Sequence, residues 1–374
     1  MPQFHHDDLA KLRAADRFRS LRPRMGYDFA SNDYLGLAHA PRLRRAVADA
    51  LARGVAVGSG GSRLLRGNDP EHEALEAEAA LHFGSESAMF FATGFAANQA
   101  LLATLPQPQD IVVHDARIHA SAHDGMRLGR APHIAVAHND AGAVETALRR
   151  WRLEGGTGTP WIAVESLYSM DGDVAPLDDL AEVARRHEAM LLIDEAHATG
   201  VFGPQGRGLA HHLHGRDDVV TLHTCGKALG VEGGLLCLPA HLRDFLINRG
   251  RGFVFSTAPS PLIAAAVREA LRILVEEPQR QAALAALVDY AGVRLAGIGA
   301  ATTGTQIIPV ILGADGLAVS RAAALQAAGF DVRAIRPPTV APGTARLRLS
   351  ITLNVNENAI DELTRTLAAE LEMA

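Results

Sequence analysis

The chain has 374 residues, 48% hydrophobic and 21% charged, the make-up of a folded globular protein with ample buried core. A net charge of −6 leaves no electrostatic footprint for nucleic acid, and two cysteines, Cys225 and Cys237, are too few for a disulfide framework. No apolar run approaches the ~18 residues of a membrane span, and the start of the chain lacks the apolar core of a secretory signal, so the cytoplasm is the expected compartment.

Residues 1–40 read as an arm. From there short β-rich apolar runs alternate with helical patterns. The expected strands are 88–92, 111–114, 133–137, 161–165, 190–194, 219–223 and 234–238, and the helices between them include 71–83, 95–105, 141–151 and 177–188. Continuous apolar runs such as Leu191-Leu192-Ile193 suit strands covered on both faces, which predicts an α/β fold with a large, mainly parallel sheet over residues 41–270. The texture then changes. A long Ala/Leu/Arg helical region over 261–295 leads into strand 306–312, helix 317–328, strands 332–335 and 346–352, and a last helix 357–372. This is a smaller α/β C-terminal domain, residues 271–374.

Two residues stand out chemically. Only Lys11 and Lys227 are lysines, against 34 arginines. A guanidinium supplies charge but not a nucleophilic amine, so a lysine kept in Thr224-Cys225-Gly226-Lys227-Ala228-Leu229-Gly230 points to amine chemistry. Asp194 ends the apolar run Met190–Ile193, where open α/β sheets bind ligands, and strand alternation puts it on the face of Leu192. A buried carboxylate there needs a cationic partner or hydrogen bonds. Asp194-Glu195-Ala196-His197 also spells a nucleotide-hydrolase box, but that role requires a phosphate loop. Around Lys227 the first glycine of such a loop is replaced by Thr221, and Ala228 stands in place of Ser or Thr.

Thr93-Gly94-Phe95 runs from a strand into a helix, and the free N–H groups of such a turn attract phosphate. Gly58-Ser59-Gly60-Gly61-Ser62-Arg63 reads as a flexible loop rather than a dinucleotide fingerprint, because Arg63 takes the third glycine position. Among 17 histidines, His119 and His123 lie at helical metal-ligand spacing, but no Glu or Cys cluster supports them, so no metal is expected.

These motifs in this order resemble the α-oxoamine synthase family of fold type I pyridoxal-phosphate (PLP) enzymes. The resemblance is carried by Ser31–Leu37, Gly94–Gln99, Ser169-Met170-Asp171-Gly172, Asp194–Gly200 and Thr224–Lys227, and it extends from about Arg13 to the last helix. It implies PLP on Lys227 as a Schiff base, with the same amine later moving a proton. Asp194 would pair the pyridine nitrogen, His197 the phenolic oxygen, and His119 would stack on the ring. Gly94, Phe95 and Thr224 would lie near the phosphate and Ser169 at a further cofactor contact. Ser256 and Thr257 would reach the phosphate of the partner subunit in a homodimer. Asn32 and Arg336 would grip an amino-acid carboxylate, while Arg19 and Thr339 would meet the acyl substrate. Ala334–Val340 favours the branch that condenses L-alanine with a pimeloyl thioester, on coenzyme A or acyl carrier protein, on the way to biotin. Glycine C-acetyltransferase and 5-aminolevulinate synthase share the cofactor set. A cofactor-free binding protein on the same fold would have no use for Lys227, Asp194 and His197 together.

Overall fold

A computed structural model describes residues 3–372. The chain divides into two compact units. The larger comprises Leu35–Tyr168 and Val174–Gln281; the smaller comprises the chain up to Tyr34, Ser169–Asp173 and the chain from Ala282.

The larger unit is built on a seven-stranded sheet in the order Ser87–Phe91, Gly234–Leu238, Val219–Thr224, Met190–Asp194, Pro160–Glu165, Ile111–Asp115, His133–Val136. Gly234–Leu238 runs antiparallel to both neighbours, and the other pairings are parallel. The mainly parallel α/β architecture expected from the alternation is the one present. Period-2 alternation divides the strand residues between two apolar layers. Leu192, Val112, Trp161 and Leu222 pack on one face with Ala97 and Leu101 of helix Gly94–Thr104. Leu191, Ile193, Val113 and Ile162 pack on the other with Leu180 and Ala184 of helix Leu177–His187. Asp194 therefore emerges at the carboxyl end of its strand on the side of helix Gly94–Thr104.

Local signals fix the helix starts. Asp69 caps Pro70–Phe83 in a capping box with His72, and Gly84 ends it in the left-handed conformation. Thr93 caps Gly94–Thr104 by accepting the Ala96 N–H. The helical stretch expected over 261–295 is two helices, Pro261–Glu276 and Pro278–Ala296. Pro278 has no N–H to donate and drives Glu277 out of helical geometry, to φ −121° and ψ 56°. The 58–63 loop, read as flexible, is tied down. Arg63 forms a two-point ion pair with the buried Glu76 at 2.8 and 2.9 Å, and Gly61 accepts the Ala258 N–H.

The smaller unit carries a three-stranded antiparallel sheet in the order Arg333–Ile335, Ala345–Ser350, Ile307–Gly313, with helices Asp315–Ala327 and Glu357–Glu372. Helix Gln3–Ala14 buries none of its residues. Among the described residues no helix is long and apolar enough to cross a membrane.

Candidate active site

In the larger unit the expected cofactor residues converge from four strand ends. Asp194 is buried, and both its oxygens accept: Oδ1 from the Ala196 N–H at 2.9 Å, Oδ2 from the Asn98 amide at 2.7 Å. Three residues on, the buried His197 places Nε2 2.6 Å from the amine of Lys227. The approach depends on Gly200, at φ +81°, where a Cβ would sit 2.8 Å from that of Ala228, the residue after the lysine. Lys227 itself is half-buried.

Gly94 opens its helix against Thr224, at the end of strand Val219–Thr224. A Cβ on Gly94 would lie 3.2 Å from Thr224 Oγ1, so the glycine leaves a cradle beside that hydroxyl. The first N–H groups of a helix have no partner within it, and here the Thr93 hydroxyl takes that of Ala96. Phe95 meets His119 edge to face, with ring centroids 6.3 Å apart. Ser256 and Thr257 are exposed, as is Phe255 before them.

His119 does not begin a metal pair with His123. It is the N-cap of helix Ala120–Leu128, and its Nδ1 accepts the Ser121 N–H. His123 packs edge-on against His114 instead. Among the described residues no group of three or more His, Cys, Asp or Glu is arranged to hold a metal. Desolvation pushes the His119 pKa down, with Asp194 opposing and Lys227 adding to the shift.

The remaining candidates, Ser169, Asn32, Arg336, Arg19 and Thr339, belong to the smaller unit. Arg19 donates to Thr339 Oγ1 at 3.3 Å, and Arg336 donates to the carbonyl of Asp16, so these side chains lie in one neighbourhood. The Thr339 N–H also bonds the Arg336 carbonyl. Burial first, and Arg19 second, hold the Arg336 guanidinium below its ordinary pKa. Asn32 and Arg336 are not hydrogen-bonded to each other among the described contacts. Asn32 Oδ1 instead accepts from Arg348 Nη2 and from the Tyr34 hydroxyl, each at 3.0 Å. The same buried arginine donates through Nε to the Ser169 carbonyl at 2.6 Å.

Sequence reasoning passes over Arg348, Asn98 and Ser121. Arg348 has a signal, since arginine alternating with apolar residues in Ala345–Ser350 falls at positions buried like the rest of the strand. Asn98 stands inside the Gly94–Gln99 motif without a role. Ser121 gives no signal of its own.

Residues 24–367 match the family model described as aminotransferase class I and II. The chain is 43% identical over 347 residues to the 8-amino-7-oxononanoate synthase of Anaeromyxobacter dehalogenans, covering 92% of this chain and 86% of that protein. It is 41% identical over 362 residues to the enzyme of the same name from Mycolicibacterium smegmatis, covering 94% and 92%. Among solved structures it is similar to serine palmitoyltransferase of Sphingomonas wittichii, at a TM-score of 0.90 and 27% identity over 100% of this chain and 97% of that one. It is also similar to an SPT structure with PLP, at 0.90 and 25% over 99% and 97%. The 8-amino-7-oxononanoate synthase structure from Francisella tularensis matches at 0.78 and 25% over 93% and 98%.

Proposed function

This chain belongs to the aminotransferase class I and II family, in the branch of the 8-amino-7-oxononanoate synthases, and on that premise we propose that it condenses L-alanine with a pimeloyl thioester. The products are 8-amino-7-oxononanoate, carbon dioxide and the free thiol carrier, a step of biotin biosynthesis in the cytoplasm. Its cofactor is PLP. The observation that carries the reading is the larger unit's one lysine with its amine 2.6 Å from His197, beside a buried carboxylate whose two oxygens are already oriented by donors.

The residues present fit that cofactor. Lys227 would hold it covalently, Asp194 would face its ring nitrogen, His197 its phenolic oxygen, and His119 its ring face. The cradle at Gly94, with the Phe95 N–H and the Thr224 hydroxyl, suits a phosphate, and Ser169 is assigned a further cofactor contact. Exposed Ser256 and Thr257 are assigned to the phosphate site of the partner subunit in a homodimer. When bound, PLP supplies an electron sink for the carbanion left when the amino acid loses its α proton.

The chain's own groups do the rest. A carboxylate at the ring nitrogen favours its protonated form and so sustains the sink. The Lys227 amine takes the α proton and later returns one. Arg336 and Asn32 hold the alanine carboxylate. A guanidinium crowded by Arg19 gains from an arriving anion, and its planar fork can make two parallel hydrogen bonds to it. Arg19 and Thr339, already in contact, are assigned to the acyl substrate. The closer fold match to serine palmitoyltransferase does not redirect the substrate assignment. Fold similarity reports the scaffold, and identity is 41–43% to the two oxononanoate synthases against 25–27% to the palmitoyltransferase structures.

An assay of alanine, glycine and serine against pimeloyl, acetyl, succinyl and palmitoyl thioesters tests this. Alanine with the pimeloyl thioester should give the highest kcat/KM, and a different preferred pair would reassign the branch member. Sedimentation at assay concentration should show a dimer; a fully active monomer would remove the role given to Ser256 and Thr257.

A further inference from the structure

We propose that Asn98 and Ser121 are positioning residues that hold His119 as a neutral imidazole with its proton on Nε2, while the same Asn98 amide holds Asp194. This rests on the reading of His119 and Asp194 as cofactor-facing groups. Both positioning residues are in the interior, Asn98 1% and Ser121 0% exposed.

The direction of each hydrogen bond is fixed by chemistry. Asn98 Nδ2 has two hydrogens and two partners, Asp194 Oδ2 at 2.7 Å and Ser121 Oγ at 3.0 Å. A flipped amide would turn its oxygen onto a carboxylate, so the nitrogen must face Asp194. Ser121 Oγ thus accepts from Asn98. It lies 2.8 Å from His119 Nδ1, and the Ser121 backbone N–H points at the same nitrogen from 3.2 Å. A backbone N–H can only donate, so Nδ1 presents its lone pair, and the hydroxyl adds its own hydrogen there. The ring proton is left on Nε2, at the opposite edge of the ring. Asp194, Asn98, Ser121 and His119 form one chain of donors and acceptors with a single consistent polarity. A proton on Nδ1 would set it against the Ser121 N–H. The ring the resemblance stacks on the cofactor is therefore kept uncharged and offers Nε2–H as a donor.

The test is a long-range 1H–15N spectrum of histidine-labelled protein, with and without bound PLP, with His119 assigned by its loss in His119→Asn. Wild type should show the Nε2–H tautomer in both states. Ser121→Ala should lower the ratio of Nε2–H to Nδ1–H about three- to tenfold, the effect of one hydrogen bond, and Ser121→Thr should restore it. Asn98→Ala should in addition raise the PLP dissociation constant about three- to tenfold. An Nδ1–H ring in wild type, or an unchanged ratio in a folded Ser121→Ala, overturns the proposal. Should that variant not fold, the wild-type spectrum decides alone. Because the spectrum of the cofactor-free protein is read independently, failure to bind PLP would sink the functional reading without being mistaken for failure of this one.

Discussion

The two units handle their candidate residues in opposite ways. In the larger, Asp194, His197, Lys227 and His119 stand near strand ends or at a helix cap, and each is oriented by hydrogen bonds to buried or backbone groups. In the smaller, Arg19, Arg336 and Thr339 lie on irregular chain, and the two guanidiniums rest on a carbonyl and a hydroxyl that an anion could replace. Sites on regular elements hold atoms to tighter tolerances than sites on loops. On the proposed assignment, the contrast teaches that bond-making groups are set by the sheet, while substrate selection is left to adaptable arginines.

Breaking the larger unit's set should have the largest effects. Lys227→Ala should lower condensation at least ~10³-fold, since it removes both covalent attachment and proton transfer. Residual turnover above ~1% would move the proton transfer to another group. Asp194→Asn keeps the shape and loses the charge. It should slow exchange of alanine's α proton ~10- to 10³-fold, measured by deuterium wash-in, with PLP still bound. Unchanged exchange would deny Asp194 its role. In the smaller unit, Arg336→Lys should raise the KM for alanine roughly tenfold, because an ammonium cannot reproduce the fork, and leave the thioester KM within about twofold. The reverse pattern would place Arg336 in the acyl site.

The smallest effect concerns the stability of the larger unit. His82 and His214 flank Phe83 with edge-on contacts. Burial is the largest cause of a lowered pKa in both rings, from the usual 6.5 to about 4. The unfolded chain takes up these protons below about pH 6.5 and the folded chain only near pH 4, so stability is lost as pH falls through that window. Each histidine should steepen the loss by about 1.4 kcal/mol per pH unit. His214→Phe should flatten urea-midpoint curves between about pH 6.5 and 4. A slope identical to wild type would show that His214 is already solvated and charged there.

Much of this was legible in the sequence, for identifiable reasons. Strand Met190–Asp194 is bounded by its apolar run, and Lys227 is marked out by a composition that uses arginine almost everywhere else. The break before Pro278 is written in the chain but hidden by a helical composition on both sides. The hold of Arg348 on Asn32 is not legible, because it joins side chains 316 positions apart and only the fold brings them together. Asn98 and Ser121 are hidden for the same reason. Their roles come from the register that sets helix Gly94–Thr104 over the end of strand Met190–Asp194, not from any local pattern.

The central claim is that Lys227 carries the cofactor, and the composition makes it unusually direct to test. Only two lysines exist, so borohydride reduction of the PLP-loaded protein followed by peptide mass spectrometry has two possible lysine side-chain outcomes. A reduced phosphopyridoxyl adduct is expected on the peptide containing Lys227, and it should be absent in Lys227→Ala. An adduct on Lys11 alone, or a Lys227→Ala protein that still retains a borohydride-stable cofactor, would contradict the claim.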